Sequence, residues 1–238
     1  MFPSTRWTVL AQATLAGDPA GREALEHLCL SYRPAVLSFL RLQGCGPADA
    51  EDLTQDLFLK LLKTRAWKKA DRTRGHFRTF LLSILQHMVA NKRAGERTQK
   101  NGGAVASWSL EWLEEESGWT PAVSEPEPCA EFDKAWAART LRAAFACVEK
   151  RWVEHDKGAE FAVYRRFLPG SGAIPAFADI ARQLGIANTA ARTTVSRLRL
   201  ELAEALRQEV AITVNSPDDI EAELSYLGRV LARPGSNL

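Results

Sequence analysis

Three features of the sequence predict an all-α chain of two small helical domains joined by an acidic linker. The 238 residues exceed a single domain of roughly 100–150 residues. Apolar residues recur at spacings of three and four almost throughout, with few alternating β-branched runs. Between two such helical blocks lies a stretch of prolines, acids and tryptophans, from Asn101-Gly102-Gly103 to Pro128. Hydrophobic residues at 46% and charged ones at 25% suffice for ordinary cores and exclude disorder throughout.

The elements follow in order. Ser4 or Thr5 caps a first helix with Trp7, Leu10 and Ala11, which stops at Gly17-Asp18-Pro19. A second runs from about Ala20, bends at Pro34 and reaches Leu42 before Gly44-Cys45-Gly46-Pro47 breaks the chain. The third opens at Pro47, with Asp49, Glu51 and Asp52 in its first turns where carboxylates favour the positive end of the helix dipole, and ends near Thr64. A charged loop, 68–75, precedes a fourth from Phe77 to about Thr98, its apolar stripe running Phe77, Phe80, Leu81, Ile84, Leu85 and Met88. In the linker, Trp108, Leu110, Trp112 and Leu113 suit a helical turn or two. Helices resume at Glu131 to about His155 and Glu160 to Leu168. Ser216, Pro217, Asp218 and Asp219 then start a last helix to about Leu231 with Leu224, Leu227 and Leu231 as its stripe.

Charge and cysteine usage narrow the function. The net charge of +2 hides a segregation: residues 65–100 hold ten Lys or Arg against Asp71 and Glu96, while 107–133 hold eight acids and no Lys or Arg. A block this basic reads as a polyanion footprint or as a solvated helix face. Cys29, Cys45, Cys129 and Cys147 are scattered, with no Cys-x-x-Cys and no paired histidines, so neither metal nor cofactor is expected. With no apolar run of signal-peptide or membrane-spanning length, a cytoplasmic location without membrane insertion is expected. No Ser, His or Cys arrangement or carboxylate cluster suits catalysis, so the chain does not read as an enzyme.

Residues 177–210 are the informative unit. Phe177 to Leu184 form a short helix with Ile180 and Leu184 inward, Gly185 supplies a turn where positive φ is cheap, and Asn188 caps a long helix from Thr189 to about Val210. Ala191, Val195, Leu198, Leu202 and Leu206 line its apolar side. The other side offers Thr189, Arg192, Thr193, Ser196, Arg197 and Arg199, types that bond phosphates and base edges in a major groove. The residues leave two readings open: a DNA-binding helix-turn-helix or a plain helical hairpin with a solvated basic face.

Two further segments carry a family resemblance. Tyr32-Arg33-Pro34 through Phe39-Leu40-Arg41, followed by Asp49 to Leu59, resembles the core of region two of bacterial RNA polymerase sigma factors of the extracytoplasmic-function (ECF) subfamily. Arg72 to Leu85, ending in Asn91-Lys92-Arg93 and Arg97, resembles the part of that region that opens and reads the minus-ten element. The resemblance implies that Asp52, Gln55, Asp56, Phe58, Leu59 and Leu62 dock on the β′ clamp of core RNA polymerase, where acids steer and apolar anchors bury area. On spacing alone, Asp52 and Asp56 are surface acids.

The resemblance further implies that Lys69, Arg72, Arg74, Phe77 and Arg78 capture the melted strand, with Asn91, Lys92, Arg93 and Arg97 on duplex. A competing reading puts Phe77 and Phe80 in the core. The helix-turn-helix falls where region four should, so Thr189, Arg192, Thr193, Ser196, Arg197 and Arg199 are implied to read the minus-thirty-five element, with the β flap as the second polymerase contact. Gln86 and His87 depart from the wider family's basic residue and asparagine. The implied domains are 1–104 (region two), 105–130 (linker), 131–214 (region four) and 215–238, a C-terminal helical extension that packs on region four or binds a regulator such as an anti-sigma factor. The acidic linker is a spacer or folds over the basic 65–100 surface. The rival function is a helix-turn-helix regulator that acts without polymerase docking.

Overall fold

A computed structural model describes residues 19–64, 77–100, 127–214 and 217–232. Among these the chain is all-α, without a strand. The helices are α1 (Pro19–Leu42), α2 (Pro47–Thr64), α3 (Phe77–Lys100), α4 (Glu127–Glu154), α5 (Gly158–Tyr164), α6 (Phe177–Leu184), α7 (Asn188–Ala211) and α8 (Ile220–Leu231), with 3-10 turns at Arg165–Phe167 and Pro217–Asp219. The expected helix around Trp7 and Leu10, the linker up to residue 126 and the loop with Lys69, Arg72 and Arg74 lie outside the described residues, while 127–130, expected as the end of the linker, form the first turn of α4.

The described residues divide into two compact units. One holds everything up to Ala137 together with Ala211–Ala232; the other is Ala138–Val210. The helix α4 therefore begins in the first and ends in the second. The breaks between the units fall at 137/138 and 210/211, a few residues inside the expected 131–214, so that the buried Phe132, Trp136, Ile212 and Val214 belong to the first unit.

In the first unit α1 stays helical through Pro34. Proline deprives the carbonyl four residues earlier of its donor, here that of Leu30, a residue that is 54% exposed. A positive φ of 89° at Gly44 turns the chain out of α1, and the Arg33 guanidinium pairs with Glu51 to tie α1 to α2. The core centres on Tyr32, fully buried. Its ring meets Phe77 edge-on at 5.1 Å and stacks with Phe132 at 6.3 Å and Trp136 at 6.4 Å. Leu40, Leu57, Leu81, Ile84 and Leu85 are buried around it.

The segment after Ala211 supplies Ile212, Val214, Leu227 and Val230 to the buried set. In α8 the buried stripe is Glu223, Leu227 and Val230; it shares Leu227 with the expected stripe but has Glu223 and Val230 in place of Leu224 and Leu231, which are half-buried. The helix turns that way because Glu223 has a cationic partner inside, described below. Pro217 opens a 3-10 turn in place of the first turn of α8.

In the second unit, Phe161, Tyr164, Phe167 and Leu168 are buried, as are Ala191, Val195, Leu198 and Leu202 along the apolar face of α7. The Trp152 indole N–H donates to Glu201 Oε2 at 2.9 Å, and its ring lies 5.9 Å from Phe161 and 6.1 Å from Tyr164. Arg139 bonds Glu209 at 2.7 Å, joining α4 to α7.

Two outcomes are expected. Trp136→Ala, which truncates the largest fully buried side chain among the described residues, lowers unfolding free energy by about 3–5 kcal/mol in urea titration. Burial pushes the Cys29 thiol up to about 12, so at pH 8 a disulfide reagent labels the exposed Cys147 first and the half-buried Cys29 more slowly, because little of it is thiolate.

Candidate nucleic-acid interface

The face of α2 is set by its period. Ala50, Thr54, Leu57 and Leu61 are buried, which turns Asp52, Gln55, Asp56 and Leu59 outward along one stripe. Asp52 and Gln55 are exposed, Phe58 is half-buried beside them, and Leu59 keeps 51% of its surface in solvent. Asp56 pairs with Lys60 at 3.2 Å one turn on, a surface contact worth about 0.3–0.5 kcal/mol that a partner's cation can replace. The side chain of Leu62 lies outside the described residues. Acids flanking exposed apolar side chains are an arrangement that steers and then anchors a basic, partly apolar partner.

The far half of α3 carries the exposed cations. Lys92 Nζ reaches Asp49 Oδ2 at 2.6 Å, and Arg93 donates through Nη2 to Gln43 O at 3.1 Å and Gln43 Oε1 at 2.9 Å. Both contacts are exposed, so a phosphate can compete for either side chain at little cost. Asn91 is half-buried next to them, Gln86 is exposed and His87 half-buried; the side chain of Arg97 is outside the described set.

The near end of α3 corrects two expectations. Phe77 is 7% exposed and Phe80 8%; Phe77 packs edge-on against Tyr32, so neither ring offers a face to a base, and the core reading holds for both. Arg78 is not a surface cation. Its Nε donates to Glu223 Oε1 at 3.0 Å, its Nη2 to Glu223 Oε2 at 3.5 Å and its Nη1 to Asp133 Oδ1 at 3.3 Å. The Tyr226 ring covers the guanidinium carbon at 3.8 Å, and the Tyr226 hydroxyl donates to Asp133.

The two carboxylate side chains in this bracket keep 1% and 3% of their surface, and Arg78 12%. Burial alone pulls the Arg78 guanidinium down, but Glu223 and Asp133 outweigh it and hold it above its ordinary value. Burial likewise holds the Tyr32 phenol far above its usual value, with Glu223 adding to the shift, so the ring stays neutral.

Sequence reasoning missed Asp133, Glu223 and Tyr226. The available signal was Glu223 itself, an acid in register with Leu227 and Val230 on an otherwise apolar helix face. A buried acid requires a buried partner.

In the second unit, Gly185 ends α6 at φ 66°, its N–H turned back to Ala181 and Arg182, and Ile186 N–H bonds Ala181 O at 3.0 Å. That left-handed cap, cheap only for glycine, lets α7 start three residues later. Asn188 is the first residue of α7, and its Oδ1 accepts from Arg192 Nε at 2.9 Å. This corrects the expected N-cap: the amide side chain is turned to Arg192.

Thr189, Arg192, Thr193, Ser196, Arg197 and Arg199 are all exposed. The Arg192 guanidinium lies 4.5 Å from the Phe177 ring, which stacks on Phe167 at 4.5 Å, and Arg199 Nη2 donates to Phe167 O at 3.2 Å. These contacts hold two long side chains against the turn with their charges still wet. Thr193 and Thr194 donate back to the carbonyls of Thr189 and Ala190 at 3.0 Å, but as hydroxyls keep an acceptor free to meet a base or phosphate. Arg197 borders a cavity of about 440 Å³ in which Arg151, His155 and Lys157 face Glu160 and Glu201; cations and acids nearly balance there.

No group of His, Cys, Asp or Glu among the described residues could hold a metal ion, and no described helix is long and apolar enough to cross a membrane. Residues 28–98 match the family model for sigma-70 region 2, which spans α1 from Leu28, α2 and nearly all of α3. At the level of that family, the region binds RNA polymerase and melts promoter DNA. No curated protein and no solved structure gives a significant match to the chain. The acid stripe of α2 and the basic end of α3 thus both fall inside the segment that matches sigma-70 region 2.

Proposed function

We propose that the chain is a sigma factor of the ECF kind. In this reading the α2 stripe (Asp52, Gln55, Asp56, Phe58, Leu59 and Leu62) docks on the β′ clamp of core RNA polymerase, and Asn91, Lys92, Arg93 and Arg97 of α3 meet duplex at the minus-ten element. Lys69, Arg72 and Arg74 hold the displaced strand, and the exposed face of α7 reads the minus-thirty-five element. The match over residues 28–98 carries this reading. The exposure of Asp52, Gln55 and Leu59 on the acid-and-apolar stripe of α2 supports it, since an acid-flanked apolar surface suits a basic, partly apolar partner. For the second unit the support is the α6–turn–α7 geometry with six exposed polar or cationic residues on one helix.

No catalytic group is required. Opening the duplex costs a few kcal/mol of unstacking, which phosphate contacts and capture of the open strand offset. The acidic linker 105–130, lying between the two DNA-facing segments in sequence, is assigned as their spacer, and a regulator such as an anti-sigma factor would compete for the α2 stripe.

The docking step is tested by Asp56→Arg with Phe58→Ala in the full chain. The lost Lys60 pairing costs about 0.3–0.5 kcal/mol and truncating the half-buried Phe58 adds to it, so the fold of the variant is checked by circular dichroism alongside the binding. Binding to purified core polymerase, measured by fluorescence anisotropy, falls by more than tenfold, roughly 1.4 kcal/mol, while duplex binding by the isolated chain stays the same. Unaltered polymerase binding would leave only a polymerase-independent DNA regulator. For α7, Arg197→Ala weakens duplex binding about equally for all sequences, and the slope of log K against log salt becomes shallower by about 0.9, the share of a single phosphate. Thr193→Ala costs about 1–3 kcal/mol on the preferred minus-thirty-five sequence alone.

A further inference from the structure

The bracket around Arg78 joins three segments far apart in sequence: the first turn of α3, the first turns of α4 and the penultimate stretch of the chain in α8. Its geometry constrains direction as well as distance. Glu223 takes the Nε and Nη2 edge, Asp133 takes Nη1, and Tyr226 lies against the flat face. A planar guanidinium gripped on two edges and one face cannot turn without breaking a charge-assisted bond. Because Arg78 sits in the first turn of α3, that grip fixes the rotation of α3 about its axis. The same rigid helix carries Asn91, Lys92 and Arg93 about 20 Å further on at 1.5 Å per residue.

Two alternatives are disfavoured by the surroundings. A free anion-binding arginine would be exposed, whereas this one is 12% exposed with both acceptors buried. A detachable C-terminal latch would leave the core intact on release, yet Phe132, Trp136, Leu227 and Val230 are all buried in the same unit, and release of α8 would expose part of that apolar surface to water.

We propose that Glu223 and Asp133 are positioning residues for strand separation: through Arg78 they orient α3, so that the C-terminal helix α8 is a working part of the promoter-opening unit. This rests on the sigma-factor reading above and extends it to residues far outside the region 2 match. Tyr226 supports the bracket from the face and through its bond to Asp133.

The experiment uses the full chain reconstituted with core polymerase on two templates: a fully paired promoter selected by the wild-type protein, and the same promoter with a mismatched, already open minus-ten segment. Glu223→Gln is expected to bind polymerase within about twofold of wild type. On the paired template it lowers transcript yield and permanganate reactivity of the minus-ten thymines by roughly tenfold or more, the scale of one missing charge-assisted hydrogen bond. On the open template it transcribes like wild type. Glu223→Asp, which keeps the charge, recovers part of the activity, and Tyr226→Phe gives a smaller defect with the same template dependence; these two decide the matter if Glu223→Gln fails to fold.

Three results would overturn the proposal: equal activity of the variants on the paired template, increased opening, which would mean that α8 competes with DNA, or an equal loss on both templates, which would mean that the bracket only holds the fold together. Failure of the wild-type protein to direct any transcript is a different result and removes the sigma-factor reading itself.

Discussion

A single buried guanidinium decides how the first unit closes. Arg78 meets two carboxylates that have almost no contact with solvent, which leaves the cluster with one negative charge in excess. Removing such ions from water costs several kcal/mol each, and their mutual attraction roughly repays that cost without a large surplus. The free energy that assembles the unit therefore comes from its apolar neighbours: Tyr32 stacked with Phe132 and Trp136, and Leu227 and Val230 from α8. What the ions add is register. An apolar face of α8 slipped so that Leu224 and Leu231 point inward would take Glu223 away from Arg78 and leave the buried guanidinium with Asp133 as its one carboxylate in this bracket, and breaking a buried ion pair costs about 3–5 kcal/mol.

That logic separates what the sequence revealed from what it withheld. Helix spacing and Gly/Pro breaks located α1 to α3, α6 and α7 within a residue or two, because in those elements the apolar period, the breaks at Gly44 and Gly185, and the outward acids all agree. The acid stripe of α2 was legible for the same reason: its buried partners Leu57 and Leu61 fix the opposite face by period alone. The role of Arg78 was not legible. An arginine among arginines next to a basic loop reads as a polyanion contact, and only the arrival of Asp133 and Glu223, 55 and 145 residues away, reverses its meaning. Long-range pairing of this kind leaves no local pattern. Asn188 failed differently: its local partner Arg192 outcompetes the backbone for its side chain.

The contrast between buried and exposed pairs also orders the functional surfaces. Lys60 with Asp56, Lys92 with Asp49, and Arg182 with Asp179 are pairs whose members keep between 26% and 80% of their side-chain surface. Each is worth little in water and can be traded for a phosphate or a partner's charge without loss of fold. The buried bracket cannot be traded. Side chains assigned to docking and duplex contact lie among the first kind, while those that hold helices in place lie among the second.

Topology gives this division a consequence for how the chain can be altered. Residues 138–210 form their own unit but are bounded on both sides by segments of the first: the chain leaves through the middle of α4 and returns at the end of α7. A cut after residue 98 would keep the whole sigma-70 region 2 match and yet strip away Phe132, Trp136, Leu227 and Val230, together with both anions of Arg78. The guanidinium would then be left to water on a helix whose core ring, Tyr32, is without two of its stacking partners. The family match therefore covers only part of the unit it lies in, and the buried core of that unit draws on residues well beyond position 98. In this protein the last helix is a part of the first domain, and its acid is chosen for the arginine it meets there.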